Sequence, residues 1–273
     1  SIMKTAAWKI LVLIRRDFLE EVSYRLKFFL DLATILMFTS IFFFIARAFE
    51  GASPKFLEKY GGDYFSFVLI GLALSGFLNV GMYSFSATVR NEQTLGTLEA
   101  LMASPTSPAL LFTARLLWSF IYGSFHLVAY LAIGILLLSA SYNDPNWAAI
   151  PVIIILSFAA FNSIGLMSAA FTLMFKRGDP ISALIGFGAT LLSGVFFPVE
   201  ALPAALQKVS AFIPMTYTLR LMRDACINGA SFAELGNDLA ILAALGAVLV
   251  PASAAFFSAA LRRVKRDGSL SHY

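Results

Sequence analysis

The chain has 273 residues, of which 59% are hydrophobic and 13% are charged, and its net charge is +4. Soluble domains carry about 25% charged residues, so this composition excludes an ordinary soluble domain and predicts a polytopic membrane protein. The basic residues flank apolar stretches and form no single patch, which argues against nucleic-acid binding. With one cysteine and two histidines, neither an intrachain disulfide nor a metal site is expected.

The N-terminal segment, residues 4–26, mixes apolar and charged positions at helical spacing. It lacks the short apolar core and small-residue cleavage site of a signal peptide. The pattern predicts an amphipathic helix that lies in the headgroup plane with its apolar side in the acyl boundary. A solvated helix ahead of the first membrane span is the alternative.

The long apolar stretches predict membrane-spanning helices. About 20 apolar residues are needed to cross the hydrocarbon core, and an exposed backbone there must be helical or form a closed barrel. The fold class is therefore predicted to be all-α, with one transmembrane domain of six spans at about residues 28–49, 64–88, 110–138, 147–175, 180–197 and 239–261.

Residues 198–236 are less regular. Their apolar pieces are too short to span and are interrupted by prolines, which predicts a re-entrant or interfacial helical hairpin before the last span. Lys and Arg residues are more frequent on the side of the two termini than on the opposite side. The positive-inside rule then places both termini and residues 90–105 in the cytoplasm and the hairpin outside.

Several polar residues fall within the predicted spans. Asp31, one turn after Lys27, and Arg115 are predicted to snorkel to the membrane interface, and a functional proton site is the alternative for Asp31. Asn79 is predicted to form an interhelical hydrogen bond or to contact a substrate. The lone His126 is predicted to be a packing residue.

Residues 90–105, RNEQTLGTLEALMASP, are a polar island between the second and third apolar stretches. As a helix over residues 92–102, the segment has Leu95, Leu98 and Leu101 on one side. Such a helix can bind in a groove of a soluble partner. An ordinary solvated loop helix fits the same pattern.

Motifs for energy conversion or catalysis are missing from the chain. It has no GxxxxGK[ST] loop to bind nucleotide phosphates, no GxSxG, no HExxH and no paired intramembrane aspartates. It also lacks the midplane carboxylates and inverted repeats that are common in ion-driven transporters. An enzyme is not predicted, and any energy source would be another subunit.

Two motifs, in order along the chain, resemble those of a known family. The island reads E-x3-G-T-L-E-x-L-x3-P, and the segment before the last span reads FFPVEALP followed by P-M-x-Y-x5-R. The chain thereby resembles the permease subunits of ATP-binding-cassette (ABC) exporters of the six-span class that moves drugs, lipids and polysaccharides. In that family the first motif is the coupling helix, which docks onto the ATPase subunit, and the second lies in extracellular re-entrant helices.

The resemblance implies specific roles for residues of this chain. The implied coupling residues are Glu92, Gly96, Thr97, Leu98, Glu99 and Leu101. The implied hairpin signature is Pro198, Pro203, Pro214, Tyr217 and Arg223. In the family, the second and fifth spans line the translocation path between two permease subunits, which suggests Asn79, Met82, Gly186, Thr190 and Phe197 as lining residues.

The resemblance also implies an assembly. Two P-loop ATPase subunits would hold ATP and Mg, and this chain would carry no cofactor of its own. A second permease subunit would complete a homodimer or heterodimer in the inner (cytoplasmic) membrane. Two hypotheses from other classes are an ion-coupled secondary transporter and a non-transporting membrane assembly or receptor subunit.

Overall fold

The computed structural model describes residues 2–48, 60, 63–94, 108–140, 142, 144–175 and 180–266. Within these ranges the regular structure is entirely helical, which confirms the all-α fold class. The helices are α1 (Ile2–Ser23), α2 (Arg25–Ala48), α3 (Tyr64–Thr94), α4 (Pro108–Leu138), α5 (Ala149–Phe175), α6 (Pro180–Leu192), α7 (Ala204–Ser210), α8 (Pro214–Cys226) and α9 (Phe232–Arg266).

Five helices in the described part of the chain, α2, α3, α4, α5 and α9, are long and apolar enough to cross a membrane. They match five of the six predicted spans, although α3 and α9 extend beyond the predicted limits. The helix α3 continues to Thr94, and α9 begins at Phe232, several residues before the predicted start. Hydropathy sets the length of the apolar part of a helix, whereas backbone hydrogen bonding can continue into the polar segments on either side.

The predicted span at residues 180–197 differs from the observed helix. The helix α6 has 13 residues and ends at Leu192, so it is shorter than the roughly 20 residues that a straight span requires. The chain leaves the helix through Gly194, which has a left-handed φ of +88°. Glycine adopts this conformation without steric cost, and hydropathy does not register it because the neighbouring residues remain apolar.

The helix α3 is the centre of the fold. It contacts α2, α4, α5, α6 and α8, and 83% of its apolar stretch is buried, compared with 11% in α2 and in α9. The side chains of Phe67, Phe77 and Met82 are completely buried. The other spans therefore form a layer around α3, and α5 and α9 pack against each other beside it.

Close approach between helices in this core depends on small residues. A Cβ atom on Gly165 of α5 would lie 2.5 Å from the carbonyl oxygen of Met82 in α3. Within a membrane there is little hydrophobic drive for helices to associate, so backbone-distance packing through small residues supplies much of the attraction.

The first two helices are nearly continuous. Only Tyr24 separates α1 from α2, and α1 packs against α4 and α2. Trp8, Leu11 and Phe18 of α1 are more than half exposed. Phe18 still contacts the ring of Trp118 on α4, so α1 combines exposed apolar side chains with a packed side.

Candidate functional site

The predicted coupling segment lies mostly outside the described residues. Residues 95–107 are among those not described, and they include Gly96, Thr97, Leu98, Glu99 and Leu101. The backbone of Glu92 is part of α3, which ends at Thr94. The helix predicted to begin near Glu92 therefore starts within a continuation of the second predicted span.

The residues suggested to line the path come from α3, α6 and the segment after α6. Two of them, Asn79 and Gly186, lie where α3 and α6 cross. A Cβ atom on Gly186 would lie 2.7 Å from Cε of Met82, 2.8 Å from the hydroxyl oxygen of Tyr83 and 3.3 Å from Oδ1 of Asn79. A larger residue at position 186 would separate the two helices.

The other suggested path residues on α6 and beyond are less enclosed. Thr190 is half-buried, and its hydroxyl donates a hydrogen bond to the carbonyl oxygen of Gly186 at 2.8 Å. Phe197 is half-buried in the bend after α6. Both residues lie on the part of the chain that connects the α3 crossing to the hairpin.

One face of α3 remains uncovered although the rest of the helix is buried. Asn79, Val80, Tyr83, Ala87 and Thr88 are exposed or half-exposed, and their spacing places them along one side of the helix. We call this face the α3 stripe. Met82 is outside the stripe, because its side chain is completely buried.

Arg223 of the hairpin signature is the most enclosed charged residue of the site. Its side chain on α8 is 3% exposed. Nε and Nη2 donate hydrogen bonds to the carbonyl oxygen of Phe67 at 3.2 and 3.1 Å. Nη1 donates to the carbonyl oxygen of Gly194 at 2.7 Å, and Nη2 to that of Val195 at 3.0 Å. We call this arrangement the Arg223 clamp.

The geometry of the clamp explains why arginine is present. A guanidinium group has five N–H donors in a fixed planar arrangement, and here it reaches carbonyl groups of two separate segments. The guanidinium also lies over the ring of Phe67, 3.4 Å from its centroid. Burial lowers the pKa of Arg223 to about 9, so the group remains protonated at neutral pH.

The clamp needs a small residue on α3. A Cβ atom on Gly71 would lie 2.5 Å from the carbonyl oxygen of Val195 and 3.1 Å from Nη2 of Arg223. Gly71 therefore makes room for both the acceptor and the donor. The bend at residues 193–197 leaves the carbonyl groups of Gly194 and Val195 outside any helix, so they are available to accept hydrogen bonds from Arg223.

The remaining signature residues shape the segments around α7 and α8. Pro198 precedes a 3₁₀ turn, Pro203 precedes α7, and Pro214 is the first residue of α8, a position that suits its fixed φ. The hydroxyl of Tyr217 donates to the carbonyl oxygen of Ala211 at 2.8 Å. The structure thus brings Pro214, Tyr217 and Arg223 together on one buried helix.

A second polar cluster, between α1, α3 and α4, was not predicted. The Asp17 side chain is 4% exposed, and its carboxylate lies 2.8 Å from Nη2 of Arg16 and 3.4 Å from Nη1 of Arg115. Arg115 Nε donates to the hydroxyl of Ser84 at 2.9 Å. Arg115 thus has partners on α1 and α3, and its snorkelling to the membrane interface stays a prediction. The charged partner of Arg115 is the carboxylate of Asp17 on α1.

Asp31 and Lys27, which are predicted to lie at the membrane interface, have different partners in the structure. Lys27 Nζ contacts Glu21 at 2.6 Å, and Asp31 accepts a hydrogen bond from the hydroxyl of Tyr122 at 2.8 Å. His126 packs edge-on against the ring of Tyr122, in agreement with its predicted packing role. The sequence signal for the cluster was the charge-rich second half of α1, whose partner is distant in sequence.

Comparison with known proteins identifies the family. The family described as ABC-2 family transporter protein matches residues 52–255. Linearmycin resistance permease protein LnrN of Bacillus subtilis (strain 168) is 24% identical over 176 residues, covering 63% of this chain and 44% of LnrN. Nodulation protein J of Rhizobium leguminosarum bv. viciae is 28% identical over 172 residues, covering 58% of this chain and 64% of its own length. The chain thus spans less than two thirds of the length of these two relatives.

A third relative is covered more fully. Inner membrane transport permease YadH of Escherichia coli (strain K12) is 22% identical over 194 residues, covering 71% of this chain and 72% of YadH. The family match includes α3, the Arg223 clamp and most of α9. The chain therefore belongs to the ABC-2 transporter family, and five helices of its described part are long and apolar enough to cross a membrane.

Proposed function

We propose that the chain is the permease subunit of an ATP-driven exporter. Two permease subunits form the translocation path between them, and two P-loop ATPase subunits bind ATP and Mg on the cytoplasmic side. In this arrangement α6 and the bend after it form a shortened fifth span, and α7 and α8 form a re-entrant hairpin on the outer side. Both termini are cytoplasmic.

The α3 stripe is the observation that carries this proposal. It places Asn79, Tyr83 and Thr88 along the one uncovered side of the otherwise buried central helix. Polar groups facing lipid are unfavourable, and in membrane proteins they usually face a partner or a water-filled path. Beside the stripe, α6 exposes Leu184 and Phe187 by 75% and 68%. A second copy that packs on α6 would enclose the stripe between the subunits.

The coupling part of the proposal rests on the motif and on the continuity of α3. A helix over residues 92–102 would follow directly from the helix that carries the stripe. Closure of the ATPase dimer could therefore move α3 relative to its neighbours. A ligand shifts such an equilibrium only by its different affinity for the two states, so substitutions in the coupling helix should alter coupling and leave substrate affinity unchanged.

The relatives support transport outward across an inner membrane. LnrN is named as a resistance permease and YadH as an inner membrane transport permease. Resistance is consistent with efflux, and an inner-membrane position is consistent with the charge distribution of this chain.

Cysteine cross-linking tests the arrangement of the two permease subunits. Cys226 is the only cysteine, so Cys226→Ser gives a background without thiols. Phe187→Cys in that background should give a cross-linked dimer with a short bis-maleimide in native membranes. Leu136→Cys, on the 80% exposed Leu136 of α4, is the control and should remain monomeric. Equal cross-linking at both positions would contradict the proposed interface.

Charge reversal tests the coupling helix. Glu99→Lys should separate ATP hydrolysis from transport, or reduce the amount of ATPase that co-purifies, because a carboxylate at the docking surface becomes an ammonium group. Glu58→Lys makes the same change in the segment between the first two predicted spans, which the positive-inside rule places on the side opposite to residues 90–105, and it should leave both measurements at the wild-type level. An intact complex with unchanged coupled transport in the Glu99→Lys variant would refute the assignment.

A further inference from the structure

Two cavities share a wall at the junction of α1, α2 and α4. One is a polar cleft of about 530 Å³ between α1, α3 and α4, with Lys27 of α2 at its edge. The other is a groove of about 480 Å³ between α1, α2 and α4, lined mainly by aromatic and aliphatic side chains. Glu21, Trp118 and Tyr122 line both. Each volume lies within the range of about 300–1,000 Å³ that is typical of small-ligand sites.

The cleft contains charges of both signs in equal number. Its basic residues are Arg16, Lys27 and Arg115, and its acidic residues are Asp17, Glu20 and Glu21. Asp17 contacts Arg16 and Arg115, and Glu21 contacts Lys27. A ligand with charge of one sign only would therefore compete with one side of these pairs. The balance of charges instead suits a zwitterion with an anionic group and a cationic group close together.

Some of these charges are available for a ligand. The side chains of Arg16 and Lys27 are 62% and 53% exposed although each touches a carboxylate. Their remaining N–H groups can bind a phosphate, which accepts several hydrogen bonds at once. Glu20 is exposed and, among the described residues, no ion pair or hydrogen bond involves it. Its carboxylate can accept hydrogen bonds from a primary ammonium group.

The groove supplies the complementary apolar surface. Its walls include Phe28, Phe29, Ile121 and Phe125. Trp118 and Tyr122 stand at the border with the polar cleft, where side chains with an apolar body and a polar tip are favoured at membrane interfaces. An occupant of both cavities must therefore be amphiphilic, with its polar part at the level of α1.

We propose that the cleft and the groove together bind one phospholipid that carries a phosphate and a primary ammonium group, as phosphatidylethanolamine does. The phosphate binds Arg16 and Lys27, the ammonium binds Glu20, and an acyl chain lies in the groove against Phe28 and Ile121. The lipid ties α1 to α2 and α4. The α3 wall of the cleft is lined by four residues of the α3 stripe, Val80, Tyr83, Ala87 and Thr88. The lipid proposal can fail or succeed separately from the transport proposal, because lipid binding is measured without transport.

Native mass spectrometry of the detergent-purified complex tests the proposal. Titration with dioleoyl phosphatidylethanolamine should saturate at one lipid for each copy of the chain. The phosphatidylglycerol with the same acyl chains should bind at least fivefold more weakly, because it has the phosphate and lacks the ammonium. Equal affinity for the two lipids, or tighter binding of phosphatidylglycerol, would overturn the assignment.

Variants separate the two halves of the site. Ile121→Trp fills the groove and should weaken phosphatidylethanolamine binding about tenfold, whereas Leu136→Trp, farther along α4 on an exposed surface, should leave it unchanged. Glu20→Gln should remove the preference for phosphatidylethanolamine over phosphatidylglycerol. The side chains of Ile121 and Glu20 are exposed, so we expect both variants to fold like the wild type. Wild-type affinity in Ile121→Trp, or an unchanged preference in Glu20→Gln, would refute the site.

Discussion

Two enclosed arginines of this chain are held in different ways. Arg223 on α8 is 3% exposed, and its acceptors are the carbonyl oxygens of Phe67, Gly194 and Val195. The Arg115 side chain on α4 is 31% exposed and contacts the carboxylate of Asp17. The first arginine is bound by the main chain and the second by a side chain of the N-terminal helix.

The difference has consequences for motion. Main-chain carbonyl groups of the α3 core and of the bend after α6 keep their positions as long as these elements stay folded, so the Arg223 clamp holds α8 rigidly to α3. The contact between Asp17 and Arg115 joins α1 to α4 through two side chains, one of which is partly hydrated. Such a contact can open at lower cost. We therefore expect the attachment of α1 to α4 to be more mobile than the attachment of α8 to α3.

The largest expected effect comes from Arg223→Ala. The change removes the donor of the clamp and leaves three carbonyl groups in a dry site without it, and each unsatisfied buried group costs about 1–3 kcal/mol in the free energy of unfolding. A thermal unfolding midpoint measured in detergent should fall strongly. Arg220→Ala is the matched control on the same helix, because its ion pair with Asp238 is partly exposed and exposed pairs contribute about 0–1 kcal/mol. Similar losses in the two variants would contradict the clamp.

The next-largest effect tests whether the residue at position 71 must lack a side chain for the Arg223 clamp to form. Gly71→Ala places a Cβ atom against the carbonyl oxygen of Val195, and such overpacking costs about 1–3 kcal/mol. A Cβ atom on Gly246 in the interior of α9 would have no atom within 4 Å. Gly246→Ala should therefore be neutral, or stabilising by up to about 1 kcal/mol from helix propensity. If the two variants shift the unfolding midpoint equally, the close approach at Gly71 is not a constraint.

Asp17→Asn breaks the second attachment. The amide keeps the shape of the side chain and loses its charge, so Arg115 retains water and Ser84 as partners. We expect a loss of about 1–2 kcal/mol and faster amide hydrogen exchange in α1, with unchanged exchange in α8. Arg15→Gln, at an exposed residue of α1, should leave both helices protected as in the wild type. Faster exchange in α8 than in α1 would reverse the expected order of mobility.

The smallest effect is expected from Tyr217→Phe, which removes the hydrogen bond to Ala211 between α7 and α8. A single hydrogen bond contributes about 0.5–1.5 kcal/mol, and the ring remains packed. Tyr24→Phe, at a tyrosine that is 62% exposed, should have no measurable effect on the unfolding midpoint. A loss with Tyr217→Phe as large as that with Arg223→Ala would show that the α7–α8 connection, and not the clamp, holds this region.

Sequence patterns predicted much of the fold. Five membrane helices follow from apolar length alone, since the membrane imposes both the length and the helical backbone. The hairpin signature pointed to Arg223, and the family resemblance pointed to Gly186. The sequence did not indicate the role of Gly71 in the Arg223 clamp, because its neighbours Val195 and Arg223 are more than a hundred residues away in sequence.

Local chemistry and three-dimensional contacts thus determined different properties of this protein. The sequence by itself determined a helical chain with several membrane-spanning helices, because hydropathy is a property of each local stretch. Only the tertiary structure decided that α3 is central, that α6 ends at Leu192 and that Arg115 binds Asp17. These outcomes depend on which groups meet across the helices, and in a membrane a buried charge is stabilised by whichever partner lies within reach.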